Sequence, residues 1–225
     1  MYGKNAWLKY GNDTKAVMDF AEGYKEYISN AKTERLAVRE AAKILDANGF
    51  KNIDSVKSVK VGDKVYFINK NKNIAAFVIG EKSLEEGIRI LGAHIDSPRL
   101  DFKEHPFYEN KSFAYADTHY YGGVKKYQWV TIPLALHGVV WKKDGSKVEV
   151  NIGEDPADPV VGITDLLIHL SGDQMAQPLG KAISGENLDI TLGSIPVGEK
   201  EKDSIKANVL KIIKEKYNVE EEDFI

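Results

Sequence analysis

Apolar residues recur every three or four positions along the first fifty residues, then every second position, so the pattern changes from helix to strand. Val17, Phe20, Tyr24, Tyr27 and Ile28 predict a helix over Asn12–Asn30, with Asn12 or Asp13 as its cap. Leu36, Ala41, Ile44 and Leu45 predict a second helix over Glu34–Ala47, capped by Thr33 and ended by Asn48-Gly49. Lys64–Ile68 and Ile74–Ile79 then alternate on either side of a polar five-residue turn, which predicts a hairpin. Gln128–Trp141 alternates in part like a long strand. Lys142–Gly145 is a turn, and Lys147–Ile152 is an alternating return strand. Ile163–Leu170 is a short apolar segment of either type, and Leu188–Leu192 is a candidate short strand. Ser204–Tyr217, capped by Asp203, carries Ile205, Val209, Ile212, Ile213 and Tyr217 at helical spacing.

Between the hairpin and this later region lies Gly87–Asp96, read as a strand buried on both faces because its apolar run is nearly continuous. It ends in Gly92-Ala93-His94-Ile95-Asp96-Ser97-Pro98, where proline removes a ladder donor and stops the strand. Strand residues two apart share a face, so Asp96 is expected beside the His94 imidazole. An imidazole that binds a metal usually gives its other N–H to a carboxylate. With 5 His and 16 Asp in 225 residues, chance alone supplies about 0.4 such pairs. The spacing by itself therefore favours the plainer reading, a strand-end histidine held by a nearby carboxylate.

Two helices, a hairpin and a buried strand predict an α/β layer arrangement. Past Pro98 the character shifts: 101–121 is aromatic and polar with no helical period, which places a boundary near residue 100. A chain of this length buries a core without staples. It has no cysteine, so disulfides and thiolate metal sites are excluded. Any metal is held by His, Asp and Glu, a donor set suited to zinc or manganese. The net charge of −3, with 31 basic and 34 acidic residues intermixed, gives no footprint for nucleic acid. Met1–Trp7 lacks an apolar signal core, and no stretch approaches the ~20 apolar residues of a membrane span. A soluble, cytoplasmic protein is expected.

Four ordered motifs sharpen the picture: Gly92–Pro98; Tyr121-Gly122-Gly123; Trp129 with Pro133-Leu134-Ala135-Leu136-His137-Gly138; and Asp165-Leu166-Leu167-Ile168-His169-Leu170. In order and spacing they resemble the aspartyl aminopeptidase and aminopeptidase I family of zinc exopeptidases, over nearly the whole chain. The resemblance implies a zinc-peptidase-type αβα catalytic domain, of which residues 1–99 are the N-terminal part. It implies a β-rich dimerisation domain inserted over residues 100–225. His94 then matches the first zinc ligand and Asp96 the aspartate that orients it. His169 matches a dimerisation-domain histidine that reaches the partner subunit's active site. The implied function is two-metal release of N-terminal residues from peptides, with two Zn2+ per active site in the complete enzyme and dimers assembled into a dodecamer. The resemblance further implies that a glutamate from the half of the catalytic domain without a counterpart here would act as general base, and that a donor such as His169 of a neighbour would stabilise the oxyanion. The 225-residue chain alone is expected to be inactive.

The sequence also departs from the family. Thr131-Ile132 stand where members often carry Asp-Arg, and Asp165 stands where a histidine is frequent. The larger departure is length, since family chains are roughly twice as long. Two rivals follow: a non-catalytic assembly or regulatory subunit that keeps only the dimerisation role, and an unrelated mononuclear zinc hydrolase. Among other residues, His137 reads as a satisfied structural histidine, His105 and His119 as surface or interface residues, and Asp101 and Glu104 as a solvated loop. Tyr120–Gly123 reads as a turn, and the paired lysines and acidic end as hydrated surface. The aromatics from Phe102 to Tyr127 read as an interface.

Overall fold

The computed structural model describes residues 3–198 and 202–224. The first two residues of the amino-terminal segment and Ile225 of the acidic end fall outside them. The chain divides into two compact units, one reaching Ser97 and the other starting at Pro98.

The first unit holds helices α1 (Trp7–Tyr10), α2 (Thr14–Asn30) and α3 (Glu34–Ala47), followed by strands β1 (Lys51–Asn52), β2 (Lys64–Asn69) and β3 (Asn73–Val78). Thr33 caps α3 by accepting the Leu36 N–H at 3.3 Å, which satisfies one of the orphan donors of the first turn. Gly49, at φ 80°, follows the Asn48 C-cap in the left-handed conformation that glycine adopts without strain. Helix α2 begins two residues later than expected, and Asp13 occupies its N-cap without a side-chain bond. The hairpin pairs in register from Lys64↔Val78 to Asn69↔Asn73, so its turn has three residues rather than five. Lys70 and Asn71, both at positive φ, make the tighter reversal. Helix α3 packs on β2 and β3 and buries Ala37, Val38, Val65 and Tyr66.

The expected strand over Gly87–Asp96 is not formed. Residues 87–98 belong to no strand, and Ile88, Ile90 and Leu91 are 60, 77 and 101% exposed. The sheet of this unit is β1-β2-β3, and β3 has no neighbour on its far side among the described residues. A strand buried on both faces needs a layer to cover it, and among the described residues none covers this run.

The second unit centres on the sheet β4-β5-β10-β9-β6, made of β4 (Arg99–Asn110), β5 (Phe113–Tyr121), β6 (Pro133–Leu134), β9 (Val161–Gly162) and β10 (Ile190–Gly193). A separate two-stranded sheet, β7 (Leu136–Trp141) with β8 (Lys147–Ile152), forms the expected hairpin around Lys142–Gly145. The β4–β5 hairpin lies in the aromatic stretch, where the sequence pattern assigns no particular strand. Its register slips between Phe102 and Phe107, and His105 sits there at φ 49°. This bulge breaks the alternation a strand would show in sequence. The long strand over Gln128–Trp141 is likewise broken: Thr131 at φ 63° precedes β6, and only Leu136–Trp141 runs on as β7. Ile163–Leu170 contains only a 3-10 turn, at Ile168–Leu170.

The core of this unit gathers Phe107, Ala116, Val130, Val161, Ile163, Ile183, Leu188 and Ile190, with Ala116 and Leu188 fully buried. Short helices α4 (Gly172–Met175) and α5 (Leu179–Ala182) precede β10, and α6 (Ser204–Tyr217) packs on β4, β5 and β10. Asp203 holds the N-cap position of α6 in a left-handed conformation and makes no side-chain cap bond. The cap comes from β4 instead: one Glu109 carboxylate oxygen accepts the Ile205 N–H at 2.8 Å and the Lys206 N–H at 3.0 Å. A carboxylate there also meets the positive end of the helix dipole. Beyond α6, Val219 is buried, Phe224 packs edge-on against Phe107, and its carbonyl accepts the His105 N–H across the bulge. No helix among the described residues is long and apolar enough to cross a membrane.

Candidate functional site

Although Gly87–Asp96 is not a strand, its last residues form the expected contact. His94 Nδ1 lies 3.1 Å from Asp96 Oδ1 and 3.0 Å from the Asp96 carbonyl oxygen. A backbone carbonyl only accepts, so Nδ1 must carry the proton. The neutral ring then keeps its lone pair on Nε2, the form in which an imidazole binds a metal. The His94 side chain is 85% exposed, so that lone pair is accessible.

This donor set fits one position of an N/O zinc site and the carboxylate that orients it. It does not make a closed cage: among the described residues, no group of three or more His, Asp or Glu side chains converges. His169 lies in the second unit, on the 3-10 turn Ile168–Leu170, and is exposed with no hydrogen bond among the described residues. The turn is held by Asp165, whose Oδ1 accepts the Leu166 N–H and a Gln174 side-chain N–H, both at 2.8 Å. In sequence Asp165 stands out only as a departure from a family motif, and its bond to the next N–H carries no sequence signal.

Several of the other histidines and ionisable groups have structural partners. His137 Nε2 contacts Glu154 Oε1 at 2.8 Å with only 12% of its side chain exposed, a satisfied histidine as expected. His105 is exposed at the bulge, and His119 is exposed and stacked on Tyr120. Arg99 bonds Asp101 at 2.7 Å and lies over the Tyr121 ring at 4.0 Å, so Asp101 is part of a paired cluster rather than a bare solvated loop. Burial, followed by the hydrogen bond to Asp189, raises the Tyr108 phenol well above its ordinary range. The same Asp189 carboxylate accepts the Thr118 N–H and stitches β5 to the start of β10. The Lys216 ammonium holds the Asp158 carboxyl below the usual carboxylate range, and that carboxylate also takes the Gly153 N–H.

The family model for Aminopeptidase I zinc metalloprotease (M18) matches residues 27–225. The "Probable M18 family aminopeptidase 1" of Clostridium acetobutylicum is 49% identical over 228 residues, covering 99% of this chain and 49% of its own. The crystal structure of an M18-family aminopeptidase from Thermotoga maritima superposes with a TM-score of 0.91 at 44% identity, over 100% of this chain and 49% of that one. Aminopeptidase I from Borrelia burgdorferi gives a TM-score of 0.85 at 39% identity, over 98% of this chain and 50% of that one. The chain thus spans about half the length of the relatives it matches, with a mixed α/β fold that agrees with theirs. It belongs to the M18 family of aminopeptidase I zinc metalloproteases.

Proposed function

We propose that this chain contributes one zinc ligand and a dimerisation domain to an aminopeptidase that releases N-terminal residues from peptides. The observation that carries the reading is the bond from His94 Nδ1 to Asp96, which fixes the tautomer that leaves Nε2 for a metal. His94 would hold one of two zinc ions, and Asp96 keeps the ring oriented and its basicity raised. Zinc, when bound, supplies a Lewis acid and an activated water for attack on the scissile carbonyl. The remaining ligands and the general base come from polypeptide matching the other half of the relatives.

The second unit is the dimerisation domain in this reading. His169, exposed on its turn, serves as a hydrogen-bond donor to the oxyanion in a partner subunit. Leu166, Leu167, Ile168, Leu170 and Met175 around it are each more than half exposed, an apolar strip suited to burial between subunits.

The test is zinc content and aminoacyl-anilide hydrolysis, measured on the chain assembled with polypeptide matching the other half of the relatives. Asp96→Asn lowers zinc affinity or turnover by about 10–100-fold, the usual effect of losing an orienting partner. His94→Ala loses one zinc and all measurable activity. Full zinc content and turnover in both variants refute the reading. Activity in purified 1–225 alone contradicts the expectation that one histidine cannot hold a two-metal pair.

A further inference from the structure

The His169 side chain makes no hydrogen bond among the described residues, so the backbone of its turn alone decides where it points. A 3-10 turn of three residues is a weak support, because its hydrogen bonds are poorly aligned. Here the Leu170 N–H reaches the Leu167 carbonyl at 2.9 Å, and Leu167, Ile168 and Leu170 are 56, 66 and 67% exposed, so little packing steadies it. Two contacts hold it from either end. On the carboxyl side, Ser171 is only 4% exposed; its hydroxyl donates to the Ile168 carbonyl at 3.1 Å, and its own carbonyl accepts the Met175 N–H at 2.8 Å. On the amino side, one Asp165 oxygen accepts both the Leu166 N–H and a Gln174 side-chain N–H, each at 2.8 Å. The bond to Gln174 closes a ring that ties the start of the segment to helix α4 beyond it.

We infer that Asp165 and Gln174 are a positioning pair for His169: the bond between their side chains holds the turn so that the imidazole presents one direction to a developing oxyanion. This rests on the reading of His169 as the oxyanion donor. The demand on such a donor is geometric. It acts when held within about 0.5 Å of its productive place, and a displacement of about 1 Å can cost ~100-fold in rate. Ser171 fixes one end of the segment, and a single anchor leaves the other end free to swing about it. Asp165 supplies the second anchor. One oxygen accepting two N–H groups draws Leu166 and Gln174 to the same point, so the residues between them are carried as a unit. The pair is exposed, and a hydrogen bond that competes with water adds little to global stability. Its worth lies in orientation, since the core around Leu188 supplies the stability of this unit. Asp165 touches no reacting atom; it acts through His169.

Kinetics on an aminoacyl-anilide, with the chain assembled with polypeptide matching the other half of the relatives, test the pair. Asp165→Ala lowers kcat by about 10- to 100-fold, with KM within about twofold and zinc content unchanged. Asp165→Asn keeps an accepting oxygen and restores most of kcat. In a His169→Ala background, where the donor is already gone, Asp165→Ala causes less than about a further twofold loss. An equal loss in both backgrounds, a loss matched by loss of zinc, or full kcat in Asp165→Ala overturns the inference. Hydrogen exchange in the 225-residue chain follows the turn without the chemistry. Gln174→Leu speeds exchange of the Leu166 and Leu170 amides by about fivefold or more, with the melting of the chain unchanged. Unchanged exchange overturns the pair as an anchor. Full kcat in His169→Ala, together with faster exchange in Gln174→Leu, removes the oxyanion reading and the positioning role with it, and leaves only the anchored turn standing.

Discussion

Two strand-competent stretches, 88–95 and 113–121, met different fates. The first is the more apolar, yet it lies in water; Leu91 is fully exposed. The second is mixed and aromatic, yet as β5 it is central, paired with β4 on one side and β10 on the other, with Ala116 at 0% exposure. Apolar content therefore did not decide which became a strand. Neighbours did: β5 is paired on both sides over a core, and 88–95 is paired with no strand and covered by no layer among the described residues.

That contrast can be broken at its strongest point. Leu188 sits in the core under β5 and accepts the Thr118 hydroxyl through its carbonyl at 2.7 Å. Leu188→Ala is expected to destabilise the second unit by about 2–5 kcal/mol, the range for a buried leucine that leaves a cavity. Denaturant melting followed by Trp129 fluorescence measures it, and a loss under about 1 kcal/mol would show a looser core than the burial indicates. A smaller effect is expected at the junction of α6 with β4. Glu109→Ala removes the acceptor of two first-turn N–H groups and is expected to cost about 0.5–2 kcal/mol, with amides of the first turn of α6 exchanging faster. Glu109→Gln separates the parts, since it keeps an acceptor and loses the charge. The smallest effect sharpens the other side. Leu91→Ala in the same chain is expected to shift stability by less than about 0.5 kcal/mol, because a side chain already in water loses no burial. A large loss there would mean that 88–95 is packed after all.

The sequence was legible where the determinants are local. Helix α3 could be read with its cap because Thr33 and Leu36 are three residues apart, and the β7–β8 hairpin because its turn lies between its strands. The His94–Asp96 contact was legible for the same reason, although the strand meant to explain it is absent. What escaped was set at a distance or by a local break. The bulge at His105 hid β4 by interrupting its alternation, and Thr131 did the same between Gln128 and Trp141. Asp203 was the natural cap by position, but the acceptor came from Glu109, 96 residues before Ile205. The exposure of 88–95 was illegible because an apolar run states what a segment wants to bury, not whether anything in the chain covers it.

The borrowed cap on α6 has a consequence for the order of events as the protein is made. A helix whose first turn depends on a carboxylate from a strand threaded far earlier cannot settle by itself, since nucleation is the costly step of helix formation. The β4–β5 ribbon, closed by a two-residue reversal at Lys111-Ser112, is cheap to form by comparison. It must be standing before α6 has a place to dock. As the nascent chain leaves the ribosome, that ribbon precedes α6 and is the template on which this helix takes its start.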